Sequence, residues 1–300
     1  MRVIPLSGEQ YALTSGAYSA TIASVGATLR SLTFDGRDLV VPFAADEVRP
    51  SFRGATLAPW PNRVIDGLYS FDGEDFILSL SEPSRGHALH GLVAWQDFAL
   101  VSQVSNRLAI ATTIEAQVGY PFRIDVLVEF TLDDDGLHTR VTGTNTGKRV
   151  APWGTGPHPY LVGGTGRVND WTFELAATRV VTITDDRLLP VDEIDVEGTP
   201  FDFRAARAID DTFIDHAYTG LTQHEARVSR GDSGVVMTWD SACPWVQVHT
   251  ADRIDEPLFS RIGLAVEPMT CPPDAYNSGV DLVKLQPGES SSAGWTIAGF

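Results

Sequence analysis

Residues 124–144 read IDVLVEFTLDDDGLHTRVTGT, two runs rich in β-branched and apolar residues joined through Asp135-Gly136. Asp-Gly tolerates the positive φ angles of a tight hairpin turn, so the stretch predicts antiparallel strands at Ile124–Leu132 and Leu137–Thr144. The same punctuation recurs outward from it: Asp-Gly at 35–36, 66–67 and 72–73, Asn-Thr-Gly at 145–147 and Gly-Asp-Ser-Gly at 231–234. Further strand-like runs lie at 68–71, 76–80, 108–114, 179–184, 235–239 and 245–250. No stretch keeps the i, i+3, i+4, i+7 apolar pattern over three turns. Short helical pieces are expected only near 205–211 and 255–261, the second interrupted by Pro257. The expected fold is all-β, a large antiparallel β-sandwich or distorted barrel. With no linker, charge block or internal repeat to divide it, residues 1–300 are expected to form a single domain.

Composition narrows the function. The chain has 300 residues, with 22 Lys+Arg against 39 Asp+Glu and a net charge of -17. An acidic surface argues against partners that present a phosphate backbone or an anionic membrane. A hydrophobic fraction of 43% and a charged fraction of 20% are ordinary globular values and argue against wholesale disorder. Two cysteines, Cys243 and Cys271, make neither a disulfide framework nor a four-thiolate zinc site, and they read as reduced thiols. No signal peptide or long apolar span is visible, so a soluble, cytoplasmic chain is expected.

Several local motifs dissolve on inspection. Gly231-Asp232-Ser233-Gly234 resembles the nucleophile segment of trypsin-like proteases, but Val235 stands where another glycine is required and no upstream segment supplies the base. Gly143-Thr144-Asn145-Thr146-Gly147-Lys148 is one residue short of a P-loop and continues with Arg149. His87 and His90 are three apart without a third ligand, so no metal is expected. Asp133-Asp134-Asp135-Gly136 lacks the alternating ligands of a calcium loop.

What remains is a scattered polar set in Pro- and Gly-rich surroundings near strand ends, where a rigid sheet can hold side chains around a small polar ligand. Pro61-Asn62-Arg63-Val64 is followed by Gly67 and Phe71-Asp72-Gly73, then Leu89-His90-Gly91, Gly156-Pro157-His158-Pro159-Tyr160, Asp215-His216, and Val266-Glu267 with Pro273-Asp274-Ala275-Tyr276-Asn277. In this order and spacing the chain resembles the aldose 1-epimerase (galactose mutarotase) family from about residue 20 to near the C-terminus.

The resemblance implies a large antiparallel β-sandwich and cofactor-free interconversion of the α and β anomers of a free aldose. It implies Glu267 as the base on the anomeric O1 hydroxyl and His158 as the acid on the ring oxygen O5. Arg63, His90 and Asp215 are implied as sugar-binding residues, with charge-assisted bonds to hydroxyls. A carboxylate and an imidazolium coexist around pH 5–6 at unperturbed pKa values, and mutual attraction should extend that window toward neutrality. Glu267, between Val266 and Pro268, is costly to bury without a purpose. Ordinary roles are expected for His87, His138, His224 and His249, as satisfied core residues. Trp60, Trp95, Trp153 and Tyr160 are the aromatic candidates for a platform under the sugar.

The chain departs from the family at two places. The histidine segment reads His158-Pro159-Tyr160-Leu161-Val162-Gly163, without the common Phe and Asn, and Met269 replaces a Gln two residues after Glu267. These changes bear on sugar specificity, and two other readings follow. One is an epimerase for a hexose 6-phosphate or a sulfonated sugar, for which Arg53, Arg85 and Arg63 are candidate anion ligands. The other is a carbohydrate-binding protein without catalysis. The expected partner is a small sugar; the residues do not indicate an oligomeric state.

Overall fold

The computed structural model describes residues 3–300. Its Ile124–Asp133 and Gly136–Asn145 strands pair antiparallel from Ile124↔Asn145 to Asp133↔Gly136, the hairpin expected from Asp135-Gly136. In the first strand Ile124, Val126, Val128, Phe130 and Leu132 are buried. That is the period-two alternation of a sheet with one face on a core. This hairpin lies within a 13-stranded sheet running from Ala99–Val104 through Arg107–Ile114, the hairpin, Ser290–Gly299, Ser233–Trp239, Asp215–Arg230, Trp245–His249 and Leu264–Met269 to Tyr160–Leu161. A four-stranded sheet of Gln10–Ser15, Tyr18–Ala23, Thr28–Phe34 and Arg37–Asp38 packs on it, and the ladder pairs are antiparallel. The principal core cluster takes residues from both sheets, from Leu13 and Ile22 to Val128 and Ile297. The chain is therefore all-β, an antiparallel sandwich.

Two turns differ from the expectation. Asp66-Gly67 does not join paired neighbours: Arg63–Ile65 pairs with His87–Leu89, whereas Leu68–Phe71 pairs with Glu74–Ile77 across Asp72-Gly73. The Asn145-Thr146-Gly147 segment ends a strand as an Asx turn, with Gly147 N–H donating to Asn145 Oδ1. The Gly231-Asp232 turn is a two-residue hairpin closed by Arg230↔Ser233.

The expected helical pieces are absent. Arg207 and Ala208 pair with Phe173 and Thr172 as a short strand. Residues 254–261 form turns, whose Pro257 and Leu258 carbonyls accept from the Arg167 guanidinium (2.8 and 3.4 Å). The α-helix of the described residues is Ala275–Ser278. Asp274, just before it, accepts at Oδ1 from Ile65 N–H (2.9 Å) and Asn277 Nδ2 (2.7 Å), so this segment anchors the Arg63–Ile65 strand. No helix among the described residues is long and apolar enough to cross a membrane.

Register aligns a row of polar side chains. Asp215 faces His249, and Gln247 faces Glu267, on the neighbouring strands Asp215–Arg230, Trp245–His249 and Leu264–Met269. Residues two apart on a strand share a face, so Gln247 and His249 fall on one side between the two carboxylates. Opposite them, the Arg63–Ile65 and His87–Leu89 pair leads into His90, at φ 63°. A side chain is not available to the next residue: a Cβ on Gly91 would lie 2.1 Å from the Ala58 carbonyl oxygen, so glycine there permits the close turn that brings His90 inward.

Candidate active site

Arg63, His90, His158, Asp215 and Glu267 all line one pocket of about 280 Å³, near the lower end of the roughly 300–1,000 Å³ usual for small-ligand sites. Glu267 is buried in mid-strand and His158 in the segment before Tyr160–Leu161. Their nearest atoms, His158 Nε2 and Glu267 Oε1, are 3.4 Å apart. The His158 ring stacks on Tyr160 (centroids 5.2 Å apart, 21°) and meets His90 edge-on at 4.9 Å. Its backbone N–H donates to the Ala55 carbonyl (3.0 Å). These contacts fix the imidazole plane against the carboxyl group.

Burial dominates the electrostatics of this pair. It pushes the Glu267 carboxyl well above the usual carboxylate range, with Asp215 adding to the rise and Arg63 opposing it. It also pulls His158 down to about 3, reinforced by nearby His249. The expected carboxylate–imidazolium window therefore gives way to a pair that is neutral without ligand, because desolvation outweighs mutual attraction. The neutral pair holds the same single proton as the charged one. His90 is likewise held well below the ordinary imidazole range by burial and by His158.

Asp215 behaves oppositely. Burial alone would raise its carboxyl, but His249, Arg63 and a hydrogen bond from Gln247 Nε2 (2.7 Å) together hold it below the ordinary range. It remains an anion able to accept hydroxyls. Arg63 is gripped by Glu82 through Nε (2.8 Å) and Nη2 (3.1 Å), and Glu82 also accepts from Arg85 Nη1 (2.8 Å). Although burial opposes charge on both groups, this fork keeps Arg63 cationic and Glu82 anionic.

Among the pocket residues that escape a motif reading are Phe52, Glu82, Gln247 and His249. Phe52, in a turn where it and Ser51 have φ 55° and 48°, packs 4.7 Å from His90 and 6.4 Å from His158. It supplies the aromatic wall, together with Tyr160. Trp60 and Trp153 lie in the core, and Trp95 is half-exposed beneath the Arg49 guanidinium. His249, expected to be an ordinary core residue, lines the pocket with Nδ1 3.6 Å from Asp215 Oδ2; strand alternation from Gln247 is the signal that could have found it. His87 is satisfied elsewhere, its Nε2 lying 3.0 Å from the Arg187 carbonyl, so it does not converge with His90. His138 is not a core residue; its half-exposed ring lies between Asp133 and Thr296 at 2.9 Å each.

Of the proposed anion ligands, Arg53 turns away to the Pro42 carbonyl (3.1 Å), while Arg63 and Arg85 line the pocket, joined there by Arg253, which the motifs did not single out. Each already has a carboxylate: Glu82 for the first two and Glu256 for Arg253 (2.5 Å). Met269, at the departure from the family pattern, packs with Val181, Ala217 and Trp245 and does not line the pocket.

Glu82 carries a prediction. Glu82→Gln removes the charge that holds Arg63 and is expected to lower kcat/KM about 10–100-fold, a loss of roughly 1–3 kcal/mol, mainly by raising KM. Steady-state kinetics reads this, and an unchanged KM would remove Glu82 from the binding apparatus.

A buried carboxyl and imidazole sharing one proton, beside a fixed anion and a fixed guanidinium, can take a proton from one ligand oxygen and give one to another. The family model described as Aldose 1-epimerase matches residues 9–298. Over 295 residues the chain is 34% identical to the uncharacterised protein YihR of Escherichia coli (strain K12), covering 98% of this chain and 94% of that one. It is 26% identical to an aldose 1-epimerase of the same strain, covering 91% and 89%. The solved GalM/aldose epimerase homologue from C. elegans superposes with a TM-score of 0.84 at 21% identity, covering 97% and 98%.

Proposed function

Because the chain belongs to the aldose 1-epimerase family, whose model spans nearly all of it, we propose that it is a cofactor-independent mutarotase acting on a free aldose. The observation that carries this reading is the 3.4 Å pair of Glu267 and His158 inside a pocket lined by Arg63, His90 and Asp215. The sugar's O1 hydroxyl donates to Glu267 and stabilises its carboxylate form, as the pair's proton passes to His158. Glu267 then removes the O1 proton while His158 delivers its proton to O5. The C1–O5 bond breaks and O1 becomes the aldehyde oxygen. Rotation about C1–C2 presents the other face, and the same two groups, now with roles reversed, close the ring as the opposite anomer. No oxidant or metal enters the proton balance.

Asp215 accepts from hydroxyls on the far side of the ring, Arg63 and His90 hydrogen-bond oxygens near the reacting centre, and Phe52 and Tyr160 cover the C–H face. A sugar with an anionic C6 group would have to displace Glu82 or Glu256 from an arginine, which favours a neutral sugar. Polarimetry or NMR of freshly dissolved α-glucose, α-galactose and glucose 6-phosphate tests this. Equilibration faster than in buffer is expected for a neutral aldose. If a panel of aldoses relaxes at the buffer rate, or sugar binds without acceleration, the enzymatic reading fails.

A further inference from the structure

His90, His158 and Glu267 each present one ligand atom, a ring nitrogen from each histidine and a carboxylate oxygen, and these atoms lie within 4.8 Å of one another. The three residues come from separate segments and are buried. Glu267 Oε2 and His90 Nδ1 have no hydrogen-bond partner among the described residues, a state that costs about 1–3 kcal/mol for each buried polar atom. Two ligands about 2.1 Å from a tetrahedral ion stand about 3.4 Å apart, which is the separation of His158 Nε2 and Glu267 Oε1. Drawing the three atoms from 4.8 Å to that spacing takes about 1.4 Å at most, a distance that side-chain rotation covers. The pocket opens beside them and leaves coordination positions for water.

We propose that His90, His158 and Glu267 form a reversible site for one divalent transition-metal ion, of the Zn²⁺, Co²⁺ or Ni²⁺ class, and that its occupation shuts the pocket to sugar. Two imidazoles and one carboxylate suit these ions, whereas Mg²⁺ and Ca²⁺ favour all-oxygen sets. The metal does not enter the reaction; it removes the residues assigned to it. Inhibition rests on the mutarotase reading, whereas binding does not.

The test adds Co²⁺ and, separately, Zn²⁺ to the purified chain, with Mg²⁺ for comparison. Co²⁺ is followed by its visible d–d absorption, and Zn²⁺ by competition with a chromophoric chelator and by the mutarotation rate before and after EDTA. One ion per chain is expected for Co²⁺ and Zn²⁺ and none for Mg²⁺, with inhibition by Zn²⁺ that EDTA reverses. His90→Gln and Glu267→Gln, each checked for fold by circular dichroism, should weaken Zn²⁺ binding by more than the roughly 10–100-fold typical of losing a group that only supports a ligand. His138→Ala, in a different surface groove, should change neither affinity nor rate. Absence of stoichiometric binding, or affinity unmoved in both donor variants, overturns the site. Stoichiometric, donor-dependent binding in a chain that turns over no sugar would sink the mutarotase reading and leave the site standing. Mutarotation that continues unchanged at saturating Zn²⁺ would overturn the claim that occupation shuts the pocket, and leave the mutarotase reading standing.

Discussion

Glu267→Gln is expected to lower kcat for mutarotation by about 10²–10⁴-fold while leaving the fold at least as stable as the wild type. The amide keeps the shape and one acceptor oxygen of the side chain but cannot take the O1 proton. Its structural cost is small because the carboxyl group is buried, is pushed toward its neutral form by that burial, and leaves Oε2 without a hydrogen-bond partner. The wild type must hold this carboxyl protonated near neutral pH, far above where a free carboxyl ionises, and a neutral isostere is spared that cost. NMR exchange rates and a thermal melt read the two halves separately. Near-wild-type turnover in a folded variant would exclude Glu267 as the base.

His158→Asn is expected to cause a loss of the same order, about 10²–10⁴-fold in kcat. Asparagine still offers hydrogen bonds but cannot deliver a proton to O5. Here stability should also fall, by about 0.5–1.5 kcal/mol, because the ring contacts with Tyr160 and His90 go with the imidazole. The double variant separates a coupled pair from two independent groups. If the two residues work on one shared proton, Glu267→Gln with His158→Asn falls little further than either single change. A multiplicative loss would show that they act separately.

The hairpins were legible because Asp-Gly chemistry is local: Asp35-Gly36, Asp72-Gly73 and Asp135-Gly136 each connect strands that pair with one another. Asp66-Gly67 carries the same signal, but Ile65 is tied to His87 across the sheet and to Asp274, contacts far away in sequence. The helical expectation at 205–211 failed for a similar reason, since the Thr172–Ile183 strand recruits Arg207 and Ala208 as an edge.

Motif order pointed to Arg63, His90, His158, Asp215 and Glu267, and these do converge. Glu82 was invisible because its value comes from a fork to Arg63 formed only when the Arg63–Ile65 strand meets the segment that leads into His87–Leu89. Phe52 was invisible because a left-handed turn, not an apolar run, delivers it to the pocket. Gln247 and His249 become pocket residues through the register of three neighbouring strands. The proton location in the Glu267–His158 pair also depends on burial, which spacing along the chain does not reveal.

The most direct test of the account is the anomerisation rate of a panel of freshly dissolved aldoses, followed by NMR with wild type, Glu267→Gln, His158→Asn and buffer alone. Wild type is expected to equilibrate at least one neutral aldose well above the buffer rate, and both variants to fall back toward it while remaining folded. Wild type no faster than buffer on every sugar, or a folded variant as fast as wild type, would contradict it.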